Sequence, residues 1–148
     1  MAKARGREPK RIFVDTNVLL RYLLDDVPEQ ADAVEEILKR AAAGELMLVL
    51  NTMVIAEIIW TCESYYGLPK GDIRDKVLAI LNTPGLEVED RDLIAEAVWI
   101  YAERNIDFAD AYNGCWLKRN GLAAVYTFDR GHFRRIEGVR VLTPGKGG

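Results

Sequence analysis

The chain has 148 residues, of which 49% are hydrophobic and 29% charged, a balance that fits one globular domain with its own core. A formal net charge of -3 argues against nucleic-acid binding through overall basicity, and two cysteines are too few for a disulfide framework or a zinc site. The apolar stretches are too short to span a membrane, and the basic N-terminus does not resemble a secretory signal, so we expect a cytoplasmic protein.

The predicted strands and helices alternate along the chain. The apolar run within residues 11–15 predicts a short buried strand, after which Thr16 and Asn17 are expected to cap a helix that reaches Leu24. Pro28 opens a second amphipathic helix that Gly44 closes, and a strand over 47–50 precedes a helix capped by Asn51 or Thr52. The remaining predicted elements are helices over 72–81, 91–104 and 108–118 and strands over 86–88, 123–128 and 139–142.

This alternation predicts an α/β layer fold in which helices cover a short parallel sheet. Ligands of such folds bind beyond the carboxyl ends of the strands. We expect a single domain over residues 11–143, preceded by a flexible basic extension over 1–10 and followed by a flexible tail over 144–148.

Acidic residues interrupt the apolar pattern at four places, and all four are candidate catalytic positions. Asp15 ends the first strand, Glu57 lies between apolar pairs of a helix, Asp107 and Asp110 stand at a helix start, and Asp129 follows a late strand. In a parallel sheet these positions can meet at one edge, where crowded carboxylates need a cation to stay ionised. Oxygen ligands without nearby Cys or His favour Mg²⁺ or Mn²⁺ over zinc.

A carboxylate–metal site of this kind is well suited to phosphodiester hydrolysis, because the metal polarises the phosphate and activates a water. Contacts to the nucleic-acid backbone would then come from basic residues close to Asp15 and Asp129 in the sequence. These candidate RNA-binding residues are Lys10, Arg11, Arg130, Arg134 and Arg135.

Each acid also has a purely structural interpretation. Asp15 could cap the following helix, Asp129 could be a turn residue, and Asp107 has the position of an N-cap with Asp110 in the first turn. Glu57 is expected to be partly buried, because apolar pairs flank it. The joint occurrence of all these acids favours the metal site.

The order and spacing of the motifs resemble the PIN-domain family and, within it, the VapC toxins of prokaryotic toxin–antitoxin modules. Phe13-Val14-Asp15-Thr16-Asn17 looks like the first motif, Glu57 is similar to the second acid, and Asp110 before Ala111 matches the third. Thr127-Phe128-Asp129, with Phe133 four residues beyond, looks like the fourth.

The resemblance implies a PIN-like three-layer α/β/α fold, a divalent metal and endoribonuclease activity. It implies Asp15, Asp110 and Asp129 as metal ligands and Glu57 as a further catalytic acid, with Thr16, Asn17, Asp107 and Thr127 in supporting roles. It also implies a homodimer and a cognate VapB-like antitoxin whose tail occupies the groove of the toxin. A PIN nuclease of RNA processing without an antitoxin and a non-catalytic RNA- or protein-binding module are the alternatives.

Other residue patterns carry less functional information. Cys62 and Cys115 are expected to be reduced packing residues, and the three tryptophans are expected to be core or subunit-interface anchors. His132, the single histidine, is interpreted as a surface residue and not as a general base. A phosphate-binding loop motif is absent, and Asn17 stands where a haloacid-dehalogenase-type phosphatase needs its second Asp.

Overall fold

Helices and strands alternate as predicted in the computed structural model, which describes residues 8–129 and 131–145. Within these ranges the elements are β1 (Lys10–Phe13), α1 (Thr16–Leu24), α2 (Pro28–Ala42), β2 (Leu46–Leu50), α3 (Thr52–Ser64), α4 (Lys70–Leu81), β3 (Leu86–Val88), α5 (Arg91–Glu103), α6 (Phe108–Arg119), β4 (Ala124–Tyr126), a 3-10 helix (Phe133–Arg135) and β5 (Arg140–Leu142). Arg130, most of the predicted N-terminal extension and the last part of the predicted tail lie outside the described residues.

Parallel strands organise the fold. β1, β2 and β3 form one sheet in that order, with Ile12 beside Leu48 and Leu50 beside Val88. β4 and β5 form a separate parallel pair, so the strands divide between two sheets. Helix α2 packs on β2, and α4 packs on β3. The predicted α/β fold with a short parallel sheet among helices is therefore confirmed.

The first strand is more exposed than predicted. Ile12 is 38% and Phe13 56% exposed, whereas Val14 directly after the strand is 6% exposed. The expectation of a buried strand was wrong because β1 stands at the edge of its sheet: within the described residues it pairs with β2 alone. An apolar run indicates a strand but not whether neighbours cover both of its faces.

The core is formed mainly by α3, α4, α5 and α6. Ile55, Ile58 and Ile59 of α3 have no exposed surface, and neither do the free thiols Cys62 and Cys115, which confirms the packing role of the cysteines. The tryptophans, in contrast, are not core residues. Trp60, Trp99 and Trp116 are each nearly half exposed, because each lies on the outward side of its helix.

Two helix starts differ from the prediction. Asp15, and not Thr16 or Asn17, is the N-cap of α1, because the first helical turn begins one residue earlier than expected. Helix α4 begins at Lys70, directly after Pro69, whose extended backbone keeps it outside the helix. Asn51 caps α3 as predicted, and its side chain accepts a hydrogen bond of 3.0 Å from the Val54 N–H. No helix within the described ranges is long and apolar enough to cross a membrane.

Candidate active site

Asp15 and Glu57 are linked through Thr16. Asp15 follows β1 at the carboxyl end of the sheet, and its Oδ1 accepts a hydrogen bond of 2.8 Å from the Thr16 N–H. The Thr16 hydroxyl donates a hydrogen bond of 2.7 Å to Oε2 of Glu57 on α3. Thr16 is only 7% exposed, so little water competes for its hydroxyl. Asp15 thus caps α1, the purely structural role considered for it above. Through Thr16 it is also linked to a second acid, Glu57.

Glu57 itself is exposed, which contradicts the expectation of a partly buried carboxylate. The apolar pairs on either side of it point into the core, whereas Glu57 lies on the remaining side of the helix, because one turn contains 3.6 residues. A carboxylate at this position stays solvated and needs no buried partner, while its bond to Thr16 fixes one oxygen.

A second group forms where α6 begins. Nδ1 of His132 lies 2.8 Å from Oδ2 of Asp110 and 3.5 Å from Oδ2 of Asp107. A potential metal ligand atom of each of these three residues lies within 4.8 Å of those of the other two. No other three His, Cys, Asp or Glu side chains among the described residues come this close together. Asp107 has the N-cap position of α6, but its side chain makes no capping hydrogen bond. The carboxylate of Asp107 is therefore available to the cluster.

A buried tyrosine supports the start of α6. The Tyr101 ring has no exposed surface and meets the Phe108 ring edge-on at 6.3 Å between centroids. Its hydroxyl donates a hydrogen bond of 2.6 Å to Oε2 of Glu63. Burial raises the pKa of Tyr101 well above its usual range, and the Glu63 carboxylate adds to this rise because it favours the protonated hydroxyl. The packing of α3 and α5 thereby holds the first turn of α6.

Within the described part of the chain, Asp129 forms hydrogen bonds only with its close neighbours in sequence, Thr127 and Gly131. Its N–H donates to Oγ1 of Thr127 at 3.0 Å, and its Oδ1 accepts from the Gly131 N–H at 3.3 Å. Asp15, Asp110 and Asp129, the three predicted metal ligands, do not form a group within 4.8 Å of one another. Asn17 is exposed on α1. The structure thus brings Asp15 together with Glu57, and Asp107 with Asp110, and it leaves Asp129 in its own turn.

The predicted RNA-binding residues divide into two kinds. Arg11 forms an exposed ion pair with Glu87 of β3, and Arg135 donates to two backbone carbonyls. Lys10 and Arg134 are exposed, and no hydrogen bond or ion pair of their side chains is recorded among the described residues. Arg130 lies outside the part of the chain that the structure describes.

His132 is the site residue that the sequence interpretation missed. Its imidazole lies among carboxylates that are 22 and 25 positions away in the sequence, because the turn after β4 packs against the start of α6. The available signal was its position: it is the single histidine of the chain and stands three residues after Asp129.

Comparison with known proteins supports the family resemblance. Residues 12–139 match the PIN domain family, a range that contains every predicted catalytic acid. The chain is also 28% identical over 132 residues to a VapC ribonuclease of Aquifex aeolicus, an alignment that covers 89% of this chain and 96% of that protein. The family resemblance inferred from the acidic motifs is confirmed, and the chain belongs to the PIN domain family.

Proposed function

We propose that this protein is a divalent-metal-dependent endoribonuclease that acts as the toxin of a toxin–antitoxin pair. The observation that carries the proposal is the arrangement of acids in two groups, Asp15 with Glu57 and Asp107 with Asp110, on elements that pack together. Helix α3 contacts both α1 and α6, so the helix that bears Glu57 joins the two groups. Similarity to a protein named VapC ribonuclease supports the ribonuclease and toxin assignments.

The cluster of Asp107, Asp110 and His132 has a spacing that fits a divalent metal ion. Nδ1 of His132 lies 2.8 Å and 3.5 Å from the two nearest carboxylate oxygens, which is close to the spacing of roughly 3 Å between adjacent ligands of one octahedral ion. Asp110 belongs to this cluster, and we propose that it holds Mg²⁺ or Mn²⁺ together with Asp15 and Asp129, with Asp107 in support. An imidazole beside the carboxylates moves the preference towards Mn²⁺, because Mg²⁺ favours oxygen ligands.

When bound, the metal would polarise the phosphate and lower the pKa of a bound water. The residues of the chain provide the remaining functions. Glu57, oriented by the Thr16 hydroxyl, is placed to accept the proton of the attacking water. The Thr127 hydroxyl is hydrogen-bonded to the backbone of Asp129 and supports that turn, and Asn17 would orient a water or ligand near Asp15. Lys10 and Arg134 are two of the predicted RNA contacts, and both are exposed and available for phosphate contacts.

The partners follow from the same proposal. The substrate is RNA in the cytoplasm, and a VapB-like antitoxin inhibits the nuclease. A homodimer would cover part of the exposed aromatic surface that Trp60, Trp99 and Trp116 contribute, because burying such side chains is favourable.

The proposal is tested with purified protein and a single-stranded RNA, in buffers that contain Mg²⁺, Mn²⁺ or a chelator. Asp110→Asn should reduce cleavage at least about 100-fold, since a neutral amide binds the metal poorly. Asp32→Asn, the same change at an exposed position of α2, should leave cleavage unchanged. Cleavage in chelator, or full activity of Asp110→Asn, would contradict the proposed site.

A second measurement separates the alternatives. Titration calorimetry should detect Mn²⁺ binding to the wild type and weaker binding to Asp110→Asn, whereas a non-catalytic binding module would give neither binding nor cleavage. Expression of the active protein should arrest growth, and co-expression of an antitoxin from a neighbouring gene should relieve the arrest. Cleavage without such a neutralising partner would favour an RNA-processing nuclease.

A further inference from the structure

Cationic side chains bind three successive backbone carbonyls between α5 and α6. Nη1 of Arg135 donates to the Arg104 carbonyl at 3.3 Å and to the Asn105 carbonyl at 2.7 Å. Nζ of Lys70 donates to the Ile106 carbonyl at 3.0 Å. We call residues 104–107, which lead directly into α6, the α5–α6 turn.

The backbone of this turn is irregular. Asn105 has a φ of 52°, a left-handed conformation that few residues other than glycine and asparagine adopt readily. Arg104 is the C-cap of α5, and carbonyls at a helix end lack partners within the helix and carry its negative end, so a cation binds there favourably. The Asn105 and Ile106 carbonyls follow the helix and also accept from cationic side chains. Ile106 is fully buried and anchors one point of the turn in the core. Arg135 and Lys70 fix the carbonyls on its outer side.

Arg135 also ties the α5–α6 turn to the segment that carries His132. It lies three residues after His132 in the 3-10 helix, and its own carbonyl accepts a return hydrogen bond of 3.4 Å from Nη1 of Arg104. The pair of arginines thus connects the two segments in both directions. Asp107, at the end of one segment, and His132, at the start of the other, face each other at 3.5 Å.

We propose that Arg135 is a positioning residue of the nuclease site, which sets the distance between His132 and the carboxylates of Asp107 and Asp110. The inference rests on the proposed function, because it takes this cluster to be part of the catalytic machinery. It gives Arg135 a role other than RNA contact, since Nη1 of its guanidinium donates to two backbone carbonyls. The effect on catalysis is indirect and passes through His132 and the start of α6.

The neighbouring residue supplies a matched control. Arg134 carries the same charge and is exposed in the same 3-10 helix, with no recorded hydrogen bond or ion pair of its side chain among the described residues. Arg134→Gln and Arg135→Gln therefore change the net charge equally, but only the second removes the bonds to the turn. Arg135→Lys keeps the charge and one donor group and serves as the conservative variant.

Two readouts test the inference. The first readout is the ¹⁵N chemical shifts of the imidazole in the metal-free protein. These signals come from His132 alone, because it is the single histidine of the chain. Arg135→Gln should shift these signals, Arg135→Lys should shift them less, and Arg134→Gln should leave them at the wild-type positions. The second is RNA cleavage in Mn²⁺, where Arg135→Gln should lower kcat about tenfold with KM within about twofold. Thermal unfolding of each variant shows that the folded protein is being assayed.

Unchanged imidazole signals in Arg135→Gln would overturn the inference, as would a rise in KM at constant kcat, which is the result expected of a phosphate contact. A shift of the imidazole signals in Arg134→Gln equal to that in Arg135→Gln would also overturn it, because loss of charge alone would then explain the effect. Failure of the proposed function is distinguishable: it would appear as a wild-type protein that cleaves no RNA, whereas the imidazole signals are measured without RNA or metal.

Discussion

Replacement of Thr16 by Val tests whether Glu57 must be held in place for catalysis. Valine has a similar volume and keeps the helix packing, but it removes the hydroxyl that donates to Glu57 at 2.7 Å. A hydrogen bond to a charged group contributes about 1.5 to 3 kcal/mol. The lower value applies here, because Glu57 is exposed and water can replace the lost donor. A loss of about 1.5 kcal/mol from the transition state corresponds to a kcat about tenfold lower.

The assay is steady-state cleavage of a single-stranded RNA in Mn²⁺, with thermal unfolding measured in parallel. Thr16→Ser is the matched control, because it keeps the hydroxyl and loses only a methyl group; its kcat should stay within about twofold of the wild type. Thr16→Val should lower kcat and leave KM nearly unchanged, since Glu57 is proposed to act on the water and not on the RNA. A wild-type kcat in Thr16→Val, or an equal loss in Thr16→Ser, would refute the reasoning.

Three further predictions concern the framework of the site. The raised pKa of Tyr101 means that the folded state retains a proton that the unfolded state loses near pH 10. The resulting stabilisation is present below about pH 10 and is lost as the pH rises further. In denaturant unfolding, the free energy of unfolding should therefore fall less steeply above about pH 10 in Tyr101→Phe than in the wild type. Burial raises the pKa of the Cys115 thiol to about 12, so a thiol reagent at pH 8 should label this residue only after unfolding, and rapid labelling of the native protein would contradict the packing. Gly85→Ala should lower the free energy of unfolding by about 3 kcal/mol, because φ is +83° and the new Cβ would lie 2.5 Å from the Ala41 carbonyl oxygen. The control Gly121→Ala, with φ +73° and no atom within 4 Å of the new Cβ, should lower it by only about 1 kcal/mol. Equal losses in the two variants would show that the structure relieves the contact with Ala41.

The sequence alone was sufficient to predict the fold class, the element order and the family. Strand and helix periods are local properties, so the apolar patterns that became β2, α3 and α5 could be recognised without knowledge of their neighbours. Asp15 could likewise be recognised, because a strand followed by Asp-Thr-Asn is a short-range pattern.

Burial of individual positions was harder to predict. Glu57 lies between apolar pairs and still points to solvent, and Phe13 belongs to an apolar run and is still 56% exposed. Both depend on which surface another element covers. Within the described residues, one edge of β1 has no neighbouring strand, and no other element covers the side of α3 that carries Glu57. Both facts result from the packing of the elements, which the sequence pattern of a single element does not contain.

The sequence by itself determined the candidate catalytic residues, and the tertiary structure decided which of them are neighbours. Thr16 reaches Glu57 across 41 positions, and Arg135 reaches Asn105 across 30. His132 became a member of the acidic cluster, and Arg135, a predicted RNA contact, forms hydrogen bonds to the α5–α6 turn. Such contacts arise when helices and turns distant in the chain pack together, because the burial of apolar side chains fixes how the elements pack, and their polar side chains are brought into contact as a result.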